Sequence, residues 1–390
     1  MAADAADRQE RLCWLALRLV PGLGHVNLLK LIRIFGSPRR VFEASLGDLK
    51  TAQPGLPLAT AESIHSGISF EDASDELRKA QSAGVQLISF SDEAYPPRLK
   101  QIHDPPALLY ALGRTELLQT HSVAVVGTRR PTPYGRAVAE KLSRDLVRLG
   151  LTHISGLARG VDGASHRGAL DGGGATIAVL GTGVDVPYPR ENRKLYEEIA
   201  SRGLLVSEFP MGTRAFPQNF PIRNRIISGI GYGVLVVEGG QYSGSLISAR
   251  LALEQGREVF ATPGSILSRQ SWGPNLLIKD GAKLIQEASD VVEELPLEAR
   301  RQLHDEASRR AAGAPNGSSR QPTLFGVEPS PLGRRLLTLL HVEEALHIDD
   351  IIRSCPETSS PDVLAALSEL ELSGAIRQLP GKHFVLVWSD

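Results

Sequence analysis

The chain has 390 residues, of which 42% are hydrophobic, 22% charged and 5% aromatic, with a formal net charge of -1. That composition fits two or three globular domains and excludes a chain that coats nucleic acid along its whole length. Two cysteines, no apolar run of the roughly 20 residues that span a bilayer, and acids where a signal peptide carries basic residues also exclude disulfide-stapled, membrane-spanning and secreted classes; the expectation is a soluble, cytoplasmic protein.

The first 90 residues read as a helical domain. Apolar residues recur at helical spacing in Leu12, Leu15, Leu17 and Leu19, then in Leu28, Leu31, Ile32 and Phe35. Pro21-Gly22-Leu23-Gly24 between them fits a helix-hairpin-helix (SAM-like) unit, whose backbone amides can meet a DNA phosphate. A plain helical turn carries the same letters. A helix over Phe70–Ala83 leads to a strand over Val85–Phe90, and proline pairs at 96–97 and 105–106 mark entry to the next domain, 91–295.

There the pattern changes to short apolar runs at Val123–Val126, Thr152–Ser155, Thr176–Leu180, Leu204–Ser207, Val234–Val237 and Val259–Ala261, with helical stretches between them. Such runs predict strands buried on both faces, hence a Rossmann-like, doubly wound parallel α/β sheet. Residues 296–330 are poor in apolar groups and read as a flexible linker, helical at first. In 331–390, three helices and a hairpin predict a winged helix.

Charge follows this division. Residues 121–290 carry 20 basic and 15 acidic groups, so a polyanion site belongs in the middle segment. In parallel sheets ligands bind beyond the carboxyl ends of the strands. The loops there supply Gly127, Thr128, Arg129 and Arg130; Ser155, Gly156 and Arg159; Lys194; Arg223, Asn224 and Arg225; and Ser243, Gly244 and Ser245 at the start of a helix. Glycines admit backbone amides to an anion, helix N-termini favour negative charge, and the dispersed cations suit successive phosphates better than a single nucleotide. No G-x-x-x-x-G-K-[ST], dinucleotide fingerprint or metal-ligand spacing is present, so neither cofactor nor metal is called for. Asp162 and His166, four apart on a helix, offer either an acid–base pair or a structural bond that positions the arginine loop. The nearby aromatics Tyr134, Tyr188, Tyr196, Phe216 and Phe220 are few, which points to backbone-dominated, sequence-tolerant binding.

The segments VVGTRRPTPYG, SGLARGVDGASH, FPIRNRIISG and SGSLISAR resemble the DNA-processing protein A family (DprA/Smf). The resemblance implies a Rossmann-like core that binds and protects single-stranded DNA and helps load the RecA recombinase during natural transformation, without being an enzyme. It implies phosphate contacts at Arg129 and Lys194, and places Arg159 where the family carries lysine. It also implies a homodimer through the Rossmann core, for which Leu277, Ile278 and Leu284 are candidates alongside plain core packing. Gln321-Pro322-Thr323-Leu324-Phe325 is similar to a sliding-clamp-binding pentapeptide. The acidic winged helix, with 5 basic and 9 acidic residues over 331–390, suits a protein contact better than duplex DNA. The competing class is a nucleotide N-glycosidase, whose P-G-G-x-G-T-x-x-E motif is faintly echoed by Glu238-Gly239-Gly240, Ser243-Gly244-Ser245 and Glu254.

Overall fold

The computed structural model describes residues 2–313, 330–340, 346–355, 358–372, 376–379 and 381–386. Gln321–Phe325, the clamp-like pentapeptide, lies outside them. Two compact units are present, 1–310 and 311–390.

Six helices open the first unit: α1 (Ala2–Leu19), α2 (His25–Phe35), α3 (Pro38–Glu43), α4 (Leu46–Ala52), α5 (Leu58–Ser66) and α6 (Phe70–Ser82). Their punctuation is local. Gly36 ends α2 in the left-handed region, Ser37 with Pro38 starts α3, and Ser45 with Asp48 forms a capping box on α4. Leu23 of the Gly-x-Gly turn is buried, and the Thr60 hydroxyl donates to the Pro21 carbonyl at 3.2 Å. The turn is thereby fastened to α5.

The sheet begins with β1 (Gln86–Ser89), β2 (Leu108–Gly113) and β3 (Ser122–Val126). Helices then alternate with strands: α7 (Pro133–Arg148), β4 (Thr152–Ser155), α8 (Val161–Asp171), β5 (Thr176–Val179), α9 (Arg193–Arg202), β6 (Leu204–Ser207) and α10 (Asn219–Ile230). The remaining elements are β7 (Gly233–Val236), α11 (Gly244–Glu254), β8 (Glu258–Ala261), α12 (Trp272–Lys279), β9 (Lys283–Leu284), α13 (Ala288–Glu293) and α14 (Leu297–Gly313).

Nine strands lie in the order β1-β2-β6-β5-β4-β3-β7-β8-β9. β1 pairs antiparallel with β2 and β2 with β6; the pairs from β6 to β9 are parallel. All residues of β3 to β7 are buried, which is why their sequences read as apolar runs without alternation. β1 lies in this sheet, and Leu87, Leu108 and Tyr110 share a core with Trp14, Leu17 and Leu28 of the helical segment. From β3 the chain winds out to β6; α10 then returns it to β7, on the other flank of β3. The reversal opens a crevice between the carboxyl ends of β3 and β7, the usual place for a ligand in such sheets.

The stretch expected to open the linker is helix α14, and it buries Ala299 and Leu303 against the core that holds Phe260 and Ile285.

The second unit contains α15 (Pro331–Leu339), β10 (Leu346–His347), α16 (Ile348–Arg353), α17 (Ser360–Leu372), β11 (Ile376–Leu379) and β12 (His383–Leu386), with sheet order β10-β12-β11. Leu336, Ile351, Val363, Leu367 and Phe384 form its core. This is the expected winged helix. Asp362, Glu369 and Glu371 are exposed on α17, which carries no Lys or Arg. Among the described residues no helix is long and apolar enough to cross a membrane.

Candidate nucleic-acid interface

Three loops at the crevice are stitched together by their backbones. The Thr128 amide donates to the Glu238 carbonyl at 2.7 Å, and the Val161 amide to the Thr128 carbonyl at 3.1 Å. Gly160 stands at φ +79°, and a Cβ there would run into the carbonyl of Thr128 and the backbone of Arg129. Only glycine lets the two loops close to this distance. The result is a rigid mount from which Arg129 and Arg130 project, both exposed.

The Glu238 carboxylate is buried and accepts from the Thr132 amide at 2.9 Å and the Thr132 hydroxyl at 2.6 Å. It thereby holds the N-terminus of α7, where a carboxylate is favoured. It serves the scaffold. Glu254 is the last residue of α11, at the far end of that helix from Ser243 and Ser245. The motif's one carboxylate, echoed by Glu254, thus stands away from the Ser243–Ser245 turn.

Below the mount sits Arg223, 4% exposed. It donates to the carbonyls of Gly156 (2.8 Å) and Val179 and to Asn224 Oδ1 (3.2 Å), tying the ends of β4 and β5 to α10. Burial pushes its pKa down to about 10, with Asp162 opposing the shift. It remains a cation at neutral pH, and it lines the floor of the crevice. Ser155 is fully buried and donates to the Val125 carbonyl at 2.7 Å, so its hydroxyl braces the sheet.

The crevice is a cavity of about 540 Å³ bordered by Gly127, Arg129, Arg223 and Asn224 and by Ser243, Gly244 and Ser245 at the start of α11. A smaller cavity of about 250 Å³ adjoins Arg129, Arg130, Gly156 and Arg159. Arg159 pairs with the exposed Glu191, a surface contact that solvent screens. Asn192 donates to the Leu157 and Ala158 carbonyls at 3.0 and 3.1 Å and so fixes the following turn beside this loop. Lys194 stands exposed on the first turn of α9, two residues further on.

Arg225 is placed elsewhere. It is buried against Glu208, with Nη2 to Oε2 at 2.8 Å, and its Nε lies 3.1 Å from Asp104 Oδ2. His25, the first residue of α2 after the Gly-x-Gly turn, lies 3.4 Å from the same Glu208. Arg225 joins the helical segment to the sheet and does not face the crevice. Four of the aromatics are engaged within the fold, Tyr134 through its hydroxyl, which donates to the Pro263 carbonyl at 3.0 Å. Tyr196 is buried with its hydroxyl on the Val184 carbonyl, whereas Tyr188 and Phe220 face each other with ring centroids 5.4 Å apart. The Arg129 guanidinium lies 5.6 Å from the Phe220 ring centre. Residues 188 and 220 are 32 apart in sequence, which hides the pairing from any local pattern. For Asn192 the only signal is the Y-P-R-E-N run.

Asp162 and His166 do not pair. The Asp162 carboxylate accepts from the Ala158 amide at 3.3 Å; His166 Nδ1 meets Thr176 Oγ1 at 2.6 Å, and His153 Nδ1 meets the same hydroxyl at 2.7 Å. One hydroxyl proton serves only one ring, so the other ring donates from Nδ1. Burial pushes His153 down to about 3 and His166 well below the usual 6.5, the latter aided by His153 and Arg223. The unfolded chain protonates near 6.5 and the fold does not, so stability is complete above that pH and is lost as pH falls toward about 3. The melting temperature is expected to hold from pH 8 to 7 and then fall, each histidine removing up to about 1.4 kcal/mol per pH unit. An unchanged melting temperature between pH 7 and 5 would contradict the buried neutral pair.

A family model described as DNA recombination-mediator protein A matches residues 86–296, and a DprA winged helix domain model matches residues 321–382. Protein Smf of Escherichia coli is 39% identical over 85% of this chain and 85% of its own. DNA processing protein DprA of Bacillus subtilis is 48% identical over 56% of this chain and 74% of its own. The X-ray structure of DNA processing protein A from Streptococcus pneumoniae superposes with a TM-score of 0.66 at 38% identity, covering 72% of this chain and 96% of that one.

Proposed function

The chain belongs to the DNA recombination-mediator protein A family, and from that premise we propose that the crevice between β3 and β7 grips the backbone of single-stranded DNA. The observation that carries this reading is Arg129. It is exposed, makes no salt bridge among the described residues, and borders a cavity also lined by buried Arg223 and by the N-terminus of α11. Arg130, Arg159 and Lys194 extend the cationic rim, while Gly127, Thr128, Gly156, Asn224 and Ser243–Ser245 supply close backbone and short polar contacts. Such a surface binds and needs no bond to be broken, so we assign it no catalytic role. The bound strand is handed to the RecA recombinase, in the cytoplasm where both reside.

A titration of single strands and duplexes of equal length across salt tests the reading. The expected result is preference for the single strand, with log affinity falling linearly against log salt by about 0.7 per phosphate contacted. Equal affinity for both, or no dependence on salt, would contradict it.

A second copy is proposed to pair along the β9 edge, where Leu284 is 39% exposed and Ile278 half-buried; Leu277 packs inward on the sheet and contributes less. The winged helix is proposed as a protein-contact module, since the acids of α17 repel phosphate. A chain ending at Arg310 is expected to hold single strands with unchanged affinity, because the cavity is built wholly within 1–310. A tenfold loss in a mobility-shift assay would show that the winged helix takes part.

A further inference from the structure

The opposite end of the sheet carries a second group of cations. Tyr232 stands just before β7, Arg257 just before β8 and His121 just before β3, so all three lie at the amino ends of parallel strands. Arg98 joins them from the turn that leads into residues 99–101. Its guanidinium lies 3.2 Å from the centre of the Tyr232 ring. That ring is held in turn. His121 Nε2 donates to Gln302 Oε1 at 2.7 Å, which leaves Nδ1 to accept from the Tyr232 hydroxyl at 2.8 Å. Arg257 Nη2 donates to the Arg98 carbonyl at 2.8 Å and lies 3.4 Å from Gln101 Oε1, while its Nε is buried with no acceptor among the described residues.

Two half-buried arginines thus sit side by side, and neither forms a salt bridge among the described residues. Burial lowers the pKa of both, with Tyr232 opposing the shift at Arg98 and the charge of Arg98 adding to it at Arg257. Both remain cations, because arginine gives up its proton only far above neutral pH. Like charges held together out of full solvent repel unless an anion joins them. A lone carboxylate would cancel one charge of the two. A terminal phosphate carries close to two, successive backbone phosphates supply one each, and their oxygens can meet both guanidinium forks. We propose that Arg98 and Arg257 form a phosphate-binding subsite at the amino end of the sheet, separate from the crevice, with Tyr232 holding Arg98 in place. The group it takes belongs either to the DNA backbone or to a free phosphate compound.

The test uses the full chain with Arg98→Gln, Arg257→Gln and both together, each made in the wild type and in Arg129→Ala, so that anion binding in the crevice is told apart. In the first arm, thermal melts follow added pyrophosphate against sodium chloride of equal ionic strength. The Arg129→Ala protein is expected to keep a rise in melting temperature that the double substitution abolishes. Each single substitution should move the half-saturating pyrophosphate concentration up about tenfold. In the second arm, a long oligothymidylate is titrated across salt. A salt slope lower by about 0.7 for each arginine removed identifies the DNA backbone as the source. An unchanged slope beside lost pyrophosphate binding identifies a free phosphate compound. Should a glutamine variant fail to fold, Arg98→Lys and Arg257→Lys carry the comparison, since an ammonium lacks the fork. If the double variant responds to pyrophosphate as its parent does, even while melting lower, the two arginines only brace the fold and the proposal is overturned. If oligothymidylate does not bind at all but the pyrophosphate response follows Arg98 and Arg257, this subsite stands and the crevice reading falls.

Discussion

Arg129→Ala is expected to weaken single-strand binding by roughly 10- to 100-fold at low salt, the usual worth of a charge-assisted hydrogen bond in a sheltered site. It is also expected to lower the salt slope by about 0.7, because one phosphate contact fewer displaces one counterion set fewer. The guanidinium is exposed and makes no salt bridge among the described residues; its nearest charged influence is the buried Asp162, which Arg223 also offsets. Arg129→Lys separates charge from shape. It should restore the slope while leaving affinity reduced, since an ammonium lacks the flat fork that can meet a phosphate with two hydrogen bonds. The fold should be untouched by either change, because the backbone of this loop is held by Thr128 through the amide and carbonyl contacts with Glu238 and Val161. Thermal melts of both variants should overlay the wild type, and a loss of binding accompanied by a loss of stability would remove the argument.

Arg225→Ala is expected to do the reverse. Glu208 is 1% exposed, and removing its partner leaves a buried carboxylate without compensation, at a cost of about 3–5 kcal/mol. His25 is the nearest remaining cation source, but burial already disfavours its protonated form. Denaturant titration should therefore show a large loss of stability. Replacing both partners together, Arg225→Met with Glu208→Leu, should recover most of it, because two apolar groups leave no orphaned charge. Single-strand affinity of the folded protein should match the wild type. If Arg225→Ala instead binds weakly while melting normally, Arg225 is a phosphate ligand and does not serve as a bracket.

The contrast between these two arginines shows where sequence reading stops. Arg129 stands in a glycine-containing loop and Arg225 in the middle of α10, yet from sequence both read as cations near strand ends. Their roles diverge because Arg225 finds Glu208, 17 residues away, and Asp104, 121 residues away, whereas Arg129 stays exposed and forms no salt bridge among the described residues. Charge is written in the chain; the partner that cancels it is not. Arg223 falls between, a buried bracket whose charge still reaches the floor of the cavity.

The strands β3 to β8 are legible because nearly every position is buried, which leaves short runs of apolar, β-branched and small residues without polar alternation. β2 escapes such a reading, since its Leu-Leu-Tyr-Ala-Leu-Gly run follows the proline pair 105–106 and reads as the continuation of an entry loop. β9 has two exposed residues and no pattern to detect. Helix α14 reads as the start of a linker because only Ala299 and Leu303 of its first turns reach the core. The Tyr188–Phe220 contact is hidden for another reason: each ring is visible singly, but the two are 32 residues apart, and only the fold brings their centroids to 5.4 Å.

The central claim is that the strand lies in the crevice at the reversal of the sheet, and photo-crosslinking of bound oligothymidylate followed by peptide mapping addresses it without altering a residue. The account predicts crosslinks in the peptides that carry Arg129, Tyr188 and Phe220. Crosslinks confined to 331–390 or to the Gly-x-Gly turn at 22–24, with none around the crevice, would contradict it.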